Sequence, residues 1–190
     1  MKIAIISGST RFGNNTHRVA LNLEKALLQI GEVPLLLSLA SYNFPIFEEV
    51  LGKHPNPPDG LEDFSNKIKE ADAVLFVSPE YNGSYTSALK NALDYLKDKQ
   101  FAKKAIGVVS VTTGPLGGMR GAMQMQLLVL GVHGYALPNM LLVPQVMQKF
   151  DENGNLLDVS FSKNINNFLT EFIWFAQAIF DKKNLVEQKF

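Results

Sequence analysis

Cysteine is absent from the 190-residue sequence, and its absence excludes several kinds of chemistry. Without a thiol the chain forms no disulfide, performs no thiolate catalysis, and holds neither a zinc–thiolate centre nor a cysteine-ligated iron–sulfur cluster. The three histidines, at positions 17, 54 and 133, are scattered and form no i,i+4 pair of the kind found in helical metal sites. The sequence therefore predicts no metal site. A serine hydrolase is not favoured either, because the G-x-S-x-G elbow is missing.

An excess of charge and a long hydrophobic run are missing as well. Eighteen Lys and Arg residues balance eighteen Asp and Glu residues, so the chain has no electrostatic footprint for DNA or RNA. No apolar run reaches the roughly 18 residues that a membrane-spanning helix needs. The apolar start, residues 1–7, is too short for the core of a signal peptide. We therefore expect a soluble, cytoplasmic protein with neither a nucleic-acid partner nor a membrane partner.

Short apolar runs that alternate with helical patterns indicate the fold class. Apolar residues make up 46% of the chain, which is ample for one core, and the length favours a single domain over residues 1–190. The runs predict five strands, at 3–6, 33–39, 73–78, 105–111 and 135–143. Pro138 has to lie at the start of the fifth strand or at a bulge. This alternation predicts an α/β fold, a parallel sheet with helices on both faces.

Apolar residues at helical spacing predict the helices that connect the strands. The predicted stripes are Val19, Leu23, Leu27 and Ile30; Leu61, Phe64 and Ile68; Met123, Leu127 and Leu130; and Ile165, Phe168, Leu169, Phe172, Ala176 and Ile179. The third helix is expected from residue 88 to about 96, and the last from about 159 to 180. Trp174 and Phe175 widen the apolar arc of the last helix, which favours the core or a contact with a second subunit.

Two further segments show no regular period. The proline-rich segment 42–59 predicts an irregular excursion over the surface. Residues 151–155 predict a turn, at the tip of a small hairpin.

Three polar loops follow the first, third and fourth strands, where ligands bind to parallel α/β sheets. The first loop offers an anion the backbone N–H groups of a helix start and the side chains of Ser9, Thr10, Arg11, Asn15 and Thr16. His17 is a further candidate contact to a phosphate. The alternative is a solvated turn in which Thr16 is the helix N-cap.

The kind of phosphate follows from what this loop lacks. Gly8 and Gly13 have the spacing of a P-loop, but Asn14 and Asn15 stand where a lysine and a magnesium-binding hydroxyl are required. The dinucleotide fingerprint G-x-G-x-x-G is missing, and no acidic residue follows the second strand. A compact phosphate monoester therefore fits the loop better than a diphosphate.

The other two loops suit a flat polar ring. Tyr81 can cover a ring face, and Gly83 lets backbone N–H groups approach heteroatoms of the ring. Three glycines in the third loop, Gly114, Gly117 and Gly118, let it close in from the side. Glu80 tunes the ring, is solvated, or contacts a neighbouring backbone, and Arg120 is either a ligand contact or a surface residue. A phosphate monoester joined to a flat ring, without a metal set, indicates FMN.

With these motifs the chain resembles the NADPH-dependent FMN reductase family, flavodoxin-like proteins that include quinone, chromate and azo-dye reductases. The resemblance covers roughly residues 1–145 and rests on Gly8-Ser9-Thr10-Arg11, on Pro79-Glu80-Tyr81-Asn82-Gly83-Ser84 followed by Leu89-Lys90-Asn91-Ala92-Leu93-Asp94, and on Gly114 with Gly117-Gly118-Met119-Arg120. Two places depart from the family pattern. Asn14-Asn15-Thr16-His17 stands where many members have Ser-x-Asn-Arg, and Thr112-Thr113 replaces a serine-rich start before Gly114.

The resemblance implies a flavodoxin-like three-layer sandwich with strand order 2-1-3-4-5 and a set of FMN contacts. Ser9, Arg11, Asn15 and Thr16 would hold the phosphate, and residues 79–83, with Glu80 and Asn82, would lie along the isoalloxazine ring. The loop from Thr112 through Thr113 and Gly114 to Gly117 and Gly118 would flank the edge of the ring. Members are typically homodimers or homotetramers with the flavin near a subunit interface.

The function implied by the resemblance is that of an NAD(P)H-dependent oxidoreductase. A hydride from NADPH or NADH would pass by way of FMN, in a ping-pong reaction, to a quinone, azo dye, free flavin or metal oxyanion. No side chain is predicted to be catalytic; Tyr81 and Asn82 are predicted to shape substrate access. Two alternatives stay open: an electron carrier like flavodoxin, and a flavin-binding sensor or interaction protein without turnover.

Overall fold

The computed structural model of the chain describes residues 1–96 and 100–187. The predicted domain, residues 1–190, also takes in residues 97–99 and 188–190, which lie outside the described residues. Among the described residues, no helix combines the length and the apolar character that crossing a membrane requires.

A parallel sheet of five strands forms the centre of the described structure. The strands are β1 (Lys2–Ser7), β2 (Val33–Ser38), β3 (Ala73–Pro79), β4 (Ala105–Val111) and β5 (Tyr135–Val143). They lie in the order β2-β1-β3-β4-β5, and every neighbouring pair is parallel. β3 and β4 are buried along their whole length, as expected of strands that helices cover on both faces. The predicted flavodoxin-like order 2-1-3-4-5 is confirmed.

Helices cover both faces of this sheet. They are α1 (Asn15–Gln29), α2 (Leu39–Tyr42), α3 (Leu61–Glu70), α4 (Ser87–Asp94), α5 (Met119–Gly131), α6 (Val146–Lys149) and α7 (Ser162–Glu187). α1 and α7 pack into one apolar cluster, and α3, α4 and α5 pack into the cluster on the opposite face. The short helices α2 and α6 were not predicted, since one helical turn leaves no apolar period to detect. α7 continues well beyond the predicted end near residue 180.

The fifth strand is irregular where the sequence requires it. The pairing register of β4 with β5 shifts between Ile106 and Val108, opposite the residues that separate Ala136 from Met140. Pro138 lies in that interval and is exposed. Because β5 is an edge strand, the missing N–H of the proline costs no inner hydrogen bond. The prediction of a bulge at Pro138 is thereby confirmed.

The face that α5 turns to the sheet differs from the prediction. The stripe Met123, Leu127 and Leu130 is exposed, at 53%, 61% and 60% of each residue's surface. The residues that α5 buries are Gly121, Ala122, Met125, Leu128 and Val129. The prediction took the wrong face because α5 is apolar on both sides, so the 3.6-residue period alone does not say which side meets the sheet.

The segment 42–59 is irregular, as predicted, but it is not confined to the surface. Tyr42 and Phe44 contact the ring of Phe64 in α3, and Phe47 lies edge-on to Tyr95. Tyr95 is fully buried, and its hydroxyl donates to backbone carbonyls of this segment. The aromatic side chains therefore fasten the segment over the α3–α4 layer.

A small hairpin after α6 closes against α1. Phe150 and Leu156 form an antiparallel bridge around the predicted turn 151–155. Gly154 has φ +75°, and a Cβ at that position would lie 2.7 Å from the carbonyl oxygen of Arg18. The turn can therefore approach α1 this closely only with glycine at its tip.

Candidate ligand-binding site

The loops after β1, β3 and β4 meet at the carboxyl edge of the sheet, as predicted. They enclose a cavity of about 310 Å³. Nine of the predicted contact residues line it: Ser9, Arg11, Asn15, Thr16, Pro79, Glu80, Tyr81, Thr112 and Thr113. Phe12, Gly13, Val111 and Val146 line it as well, although they were not among the predicted contacts. The other predicted residues, Thr10, His17, Asn82, Gly83, Gly114, Gly117 and Gly118, lie around this cavity and not in its lining.

The first loop is anchored at both ends. At its start, the backbone N–H of Gly8 donates to the carbonyl of Val77, at 2.8 Å. A Cβ on Gly8 would lie 3.1 Å from that same carbonyl oxygen, so the position favours glycine. At its end, the side chain of Asn14 caps α1 by accepting from the N–H of His17, at 2.8 Å. The alternative in which Thr16 is the N-cap is therefore wrong, and Thr16 lies in the first turn with 1% of its surface exposed.

Between these anchors the loop presents unpaired donors. Within residues 1–96 and 100–187, the backbone N–H groups of Phe12, Gly13 and Asn15 have no hydrogen-bond acceptor. Phe12 and Gly13 lie in the loop before the 15-residue helix α1 and Asn15 is its first residue, so these N–H groups lie at the positive end of the helix. Ser9 is also almost fully buried here, with 1% of its surface exposed. Together these groups can bind a compact anion.

The second loop contains a tight turn from Tyr81 to Ser84. The backbone N–H and C=O groups of these two residues exchange hydrogen bonds of 2.8 and 3.0 Å. Both central residues have positive φ, +51° at Asn82 and +81° at Gly83, as in the type I′ turn that favours Asn-Gly. The turn therefore fixes the direction in which the side chain of Tyr81 leaves the loop.

Arg11 connects the first loop to the second. Its guanidinium carbon lies 5.6 Å from the centre of the Tyr81 ring, within the range of a cation–π contact. Both residues line the cavity. A positive charge therefore lies between the anion-binding loop and the aromatic wall.

Glu80 contacts a neighbouring backbone, which was one of its three predicted roles. Its Oε2 accepts from the N–H of Gly121 at 3.1 Å, in the first turn of α5. Its Oε1 lies 3.5 Å from Nε of Arg120. A carboxylate is favourable at this end of a helix because the macrodipole is positive there. Arg120 is outside the cavity lining, and 77% of its side chain is exposed. Of its two predicted roles, it therefore has that of a surface residue.

Thr86 holds the two loops together, and it was not among the predicted residues. Its hydroxyl donates to the carbonyl of Gly8 and accepts from the N–H of Leu89 at 3.1 Å, capping α4. Its own N–H donates to Oγ of Ser78 at 3.1 Å. Thr86 is buried, with 4% of its surface exposed. A threonine just before a helical stretch is a detectable N-cap signal, but its link to Gly8 depends on tertiary structure.

The glycines of the third loop serve its packing. Gly117 and Gly118 are buried and have φ of +66° and +75°. A Cβ on Gly117 would lie 2.9 Å from Cβ of Leu142, and one on Gly118 would overlap Oγ of Ser110. Gly114 donates its N–H to Oγ1 of Thr112 at 3.1 Å. These glycines therefore fold the loop onto β4 and β5, so that Thr112 and Thr113 are the residues that reach the cavity.

His17 and Thr10 lie beside the cavity. Nδ1 of His17 is buried and has no hydrogen-bond partner among the described residues. Thr10 lines a neighbouring groove of about 610 Å³ that also contacts Phe44 and Lys90. The predicted contact set is therefore divided between the cavity and its surroundings.

Comparison with known proteins agrees with this geometry. The family model for NADPH-dependent FMN reductases matches residues 1–148. The chain is 34% identical over 169 residues to an NADPH:quinone oxidoreductase of Arabidopsis thaliana, covering 83% of each protein. It is 32% identical over 166 residues to an NAD(P)H-dependent FMN reductase of Pseudomonas aeruginosa, covering 83% of this chain and 85% of the relative.

A solved structure gives the same result for the fold. The flavoenzyme NAD(P)H:(acceptor) oxidoreductase FerB from Paracoccus denitrificans superposes with a TM-score of 0.76. The match covers 93% of this chain and 97% of FerB, at 20% sequence identity. At that identity the likeness concerns the fold alone.

Proposed function

Since this chain belongs to the NADPH-dependent FMN reductase family, we propose that it is an NAD(P)H-dependent oxidoreductase that binds FMN in the cavity at the carboxyl edge of the sheet. The proposal is carried by one observation: an anion-binding loop and an aromatic wall face the same cavity, with Arg11 between them. FMN has a phosphate end and a flat ring, so it matches both parts.

The residues present fit the phosphate end of FMN. The unpaired N–H groups of Phe12, Gly13 and Asn15 are free to donate to phosphate oxygens. The buried hydroxyls of Ser9 and Thr16 add two more donors. The guanidinium of Arg11 supplies the charge, since the loop contains no lysine and no carboxylate.

The residues present also fit the ring. Tyr81 and Pro79 would cover part of one ring face, and the backbone of Thr112 and Thr113 would border its edge. When bound, FMN supplies the group that accepts and returns a hydride. The protein then needs to orient the ring and exclude water, and no side chain of the cavity lining is assigned a proton transfer. Tyr81 and Asn82 remain the residues proposed to control substrate access.

The second substrate is proposed to be a small-molecule electron acceptor. The relatives in Arabidopsis and Pseudomonas are named for a quinone and for FMN, and these two classes are the first to test. Azo dyes and metal oxyanions complete the predicted range of acceptors. The preference for NADPH or NADH, the cytoplasmic location, and an assembly of two or four copies stay predictions.

Anaerobic reduction tests the proposal directly. The purified protein is loaded with FMN and mixed with NADPH or NADH, and the yellow flavin absorbance is followed. We expect the absorbance to bleach within minutes and to return when a quinone is added. Flavin that binds but keeps its colour with both nicotinamides would contradict the reductase and favour the carrier or sensor alternatives. Failure to bind FMN would overturn all three.

A further inference from the structure

A second groove lies beside the cavity, on the other side of the first loop. Its volume is about 610 Å³, against about 310 Å³ for the cavity. Thr10, residues of the segment 43–47 and one face of α4 line this groove. Its volume is in the range of small-molecule sites, and the proposed flavin contacts in the cavity leave it without a ligand.

The groove and the cavity share a wall. Thr10 lines the groove, and its two neighbours in the chain, Ser9 and Arg11, line the cavity. In the second loop, Tyr81 lines the cavity, and Ser87, which follows that loop, lines the groove. A reactant that places one end in the cavity can therefore place its other end in the groove.

The outer wall of the groove is held by α4 and by Tyr95, which follows it. Oδ1 of Asn91 accepts from the N–H of Phe47 at 2.7 Å, and its Nδ2 donates to the carbonyl of Pro45 at 2.7 Å. The hydroxyl of Tyr95 donates to the carbonyls of Pro45 and Ile46, at 3.2 and 3.3 Å. Ile46 itself is 86% exposed. A fixed wall that carries an apolar side chain outside the core can bind a ligand without first being ordered.

The lining suits a flat polar ring joined to a sugar. Phe44 and Phe47 bring aromatic side chains to the groove, and aromatic side chains are favourable partners for a nucleic-acid base. Asn43, Ser87 and Thr10 bring an amide and two hydroxyls. These groups can hydrogen-bond to the nitrogens of a base or to the hydroxyls of a ribose.

The charges of the lining are already paired. Lys90 donates to both carboxylate oxygens of Asp94. Among the described residues, the lining has no other charged side chain. The groove therefore has no free cation for a phosphate, and it favours the uncharged part of a ligand, a base with its ribose.

One reactant of the proposed reaction has this shape. NADPH and NADH have a nicotinamide ring that gives the hydride and an adenosine that takes no part in the chemistry, and binding of such a remote part can orient the reacting end. An electron acceptor needs no second site, because it reacts where the nicotinamide does. We propose that the groove binds the adenosine half of the nicotinamide dinucleotide, with Phe44, Ile46 and Phe47 against the base. This inference rests on the proposed function, which brings the nicotinamide to the cavity.

Two hydride donors separate the adenosine half from the chemistry. NADH has that half, and reduced nicotinamide mononucleotide has the same reacting ring without it. Ile46→Glu places a carboxylate in the groove, where it disfavours the base and repels the pyrophosphate of NADH. With a quinone as acceptor, we expect kcat/KM to fall about ten-fold or more for NADH, mainly through KM, and less than about two-fold for the mononucleotide.

Val159→Glu is the matched control for the added carboxylate. Val159 is exposed to a similar degree, 75%, and lies outside the groove lining. The control should leave kcat/KM unchanged for both donors. Circular dichroism and FMN titration of each variant check that the fold and the cavity are kept. Parallel losses for NADH and the mononucleotide in Ile46→Glu would overturn the proposal.

Calorimetry with ADP-ribose tests the groove without turnover, because ADP-ribose has the adenosine half and gives no hydride. FMN-loaded wild type should bind it at least about ten-fold more tightly than Ile46→Glu. No binding to wild type, or equal binding to both proteins, would overturn the groove even if NADH still bleaches the flavin. Binding that depends on Ile46 in a protein whose flavin is not bleached would support the groove and contradict the reductase. If FMN does not bind, the same comparison on the protein without flavin decides about the groove.

Discussion

At the scale of single residues, the turn from Tyr81 to Ser84 is the most constrained part of the site. Positive φ at both Asn82 and Gly83 is what a type I′ turn demands, and side chains with a Cβ tolerate it poorly. The turn sets the direction of Tyr81, which lines the cavity and contacts Arg11. Changes in the backbone here should therefore matter more to a ligand than changes in the neighbouring carboxylate.

We predict that Gly83→Val lowers FMN affinity by at least about ten-fold, because a β-branched residue at φ +81° strains the turn by roughly 1–3 kcal/mol. Glu80→Gln should change it by less than about three-fold, since glutamine keeps an oxygen that can accept from Gly121. Fluorescence titration with FMN measures both. Equal losses in the two variants would contradict the prediction.

Gly31→Val is the matched control for backbone strain. Gly31 has a similar φ, +84°, and lies after the far end of α1. A Cβ added at Gly31 would meet no atom within 4 Å, and one added at Gly83 would meet only Cδ of Arg120, at an ordinary contact distance of 3.9 Å. The Gly31→Val variant should lose as much stability as Gly83→Val, measured by urea denaturation, while keeping its FMN affinity. Loss of affinity in the control would mean that general destabilisation explains the effect.

We also predict that Arg11→Ala weakens FMN about 10- to 100-fold but weakens riboflavin, which lacks the phosphate, by less than about five-fold. The reason is that most of the attraction lost is to phosphate charge, and only the contact with Tyr81 concerns the ring. Arg18→Ala is the control, because Arg18 contacts the carbonyl of Phe150 and Glu152 and not the cavity. Parallel losses for FMN and riboflavin would show that Arg11 does not face the phosphate.

At the scale of helices and strands, the sequence predicted best what depends on local pattern. Each predicted strand has its counterpart in the sheet because buried parallel strands are continuous apolar runs. The prediction of the buried face of α5 was wrong, since both sides of this helix are apolar and give the same period. The roles of Thr86 and of Gly117 were missed because they depend on neighbours far along the chain, Gly8 and Leu142. Local pattern therefore predicts elements and loops, while tertiary contacts decide which loop residues reach the cavity.

Thr86 gives a prediction that joins α4 to the site. Thr86→Val keeps the shape but removes the helix cap and leaves the buried carbonyl of Gly8 without its donor. We expect the free energy of unfolding to fall by about 2–3 kcal/mol and FMN affinity to fall with it. Thr86→Ser keeps the hydroxyl and should recover most of both. If serine restores stability without restoring affinity, Thr86 does not position the phosphate loop.

At the scale of the whole molecule, the two edges of the sheet are fastened by different chemistry. The carboxyl edge has neutral donors such as Thr86 and the N–H groups of the first loop. The amino edge has a buried charge: Nζ of Lys104 donates to the carbonyls of Ile68 and, at 3.0 Å, Lys69, at the end of α3. The pKa of Lys104 is lowered to about 8, mainly by burial and also by the nearby charge of Lys183, against an opposing effect of Asp72.

This lysine predicts a pH dependence of global stability. Its pKa is about 8 in the folded chain and ordinarily 10.5, so between these values the unfolded state binds more protons. The free energy of unfolding attributable to Lys104 therefore rises as pH increases through that range. We expect wild type to gain about 1 to 2 kcal/mol relative to Lys104→Met between pH 8 and 10, measured by urea denaturation.

The comparison with Lys104→Met isolates this group from the tyrosines. Burial raises the pKa of Tyr42, Tyr85 and Tyr95, so these groups lower stability at the alkaline end, but they do so equally in both proteins. Exposed Lys53→Met serves as the control for removing a lysine and should run parallel to wild type at every pH. The quantity to compare is the free energy of unfolding of wild type relative to that of Lys104→Met. If wild type gains nothing on the variant from pH 8 to 10, or loses stability relative to it, then the folded state does not destabilise the charged form of Lys104.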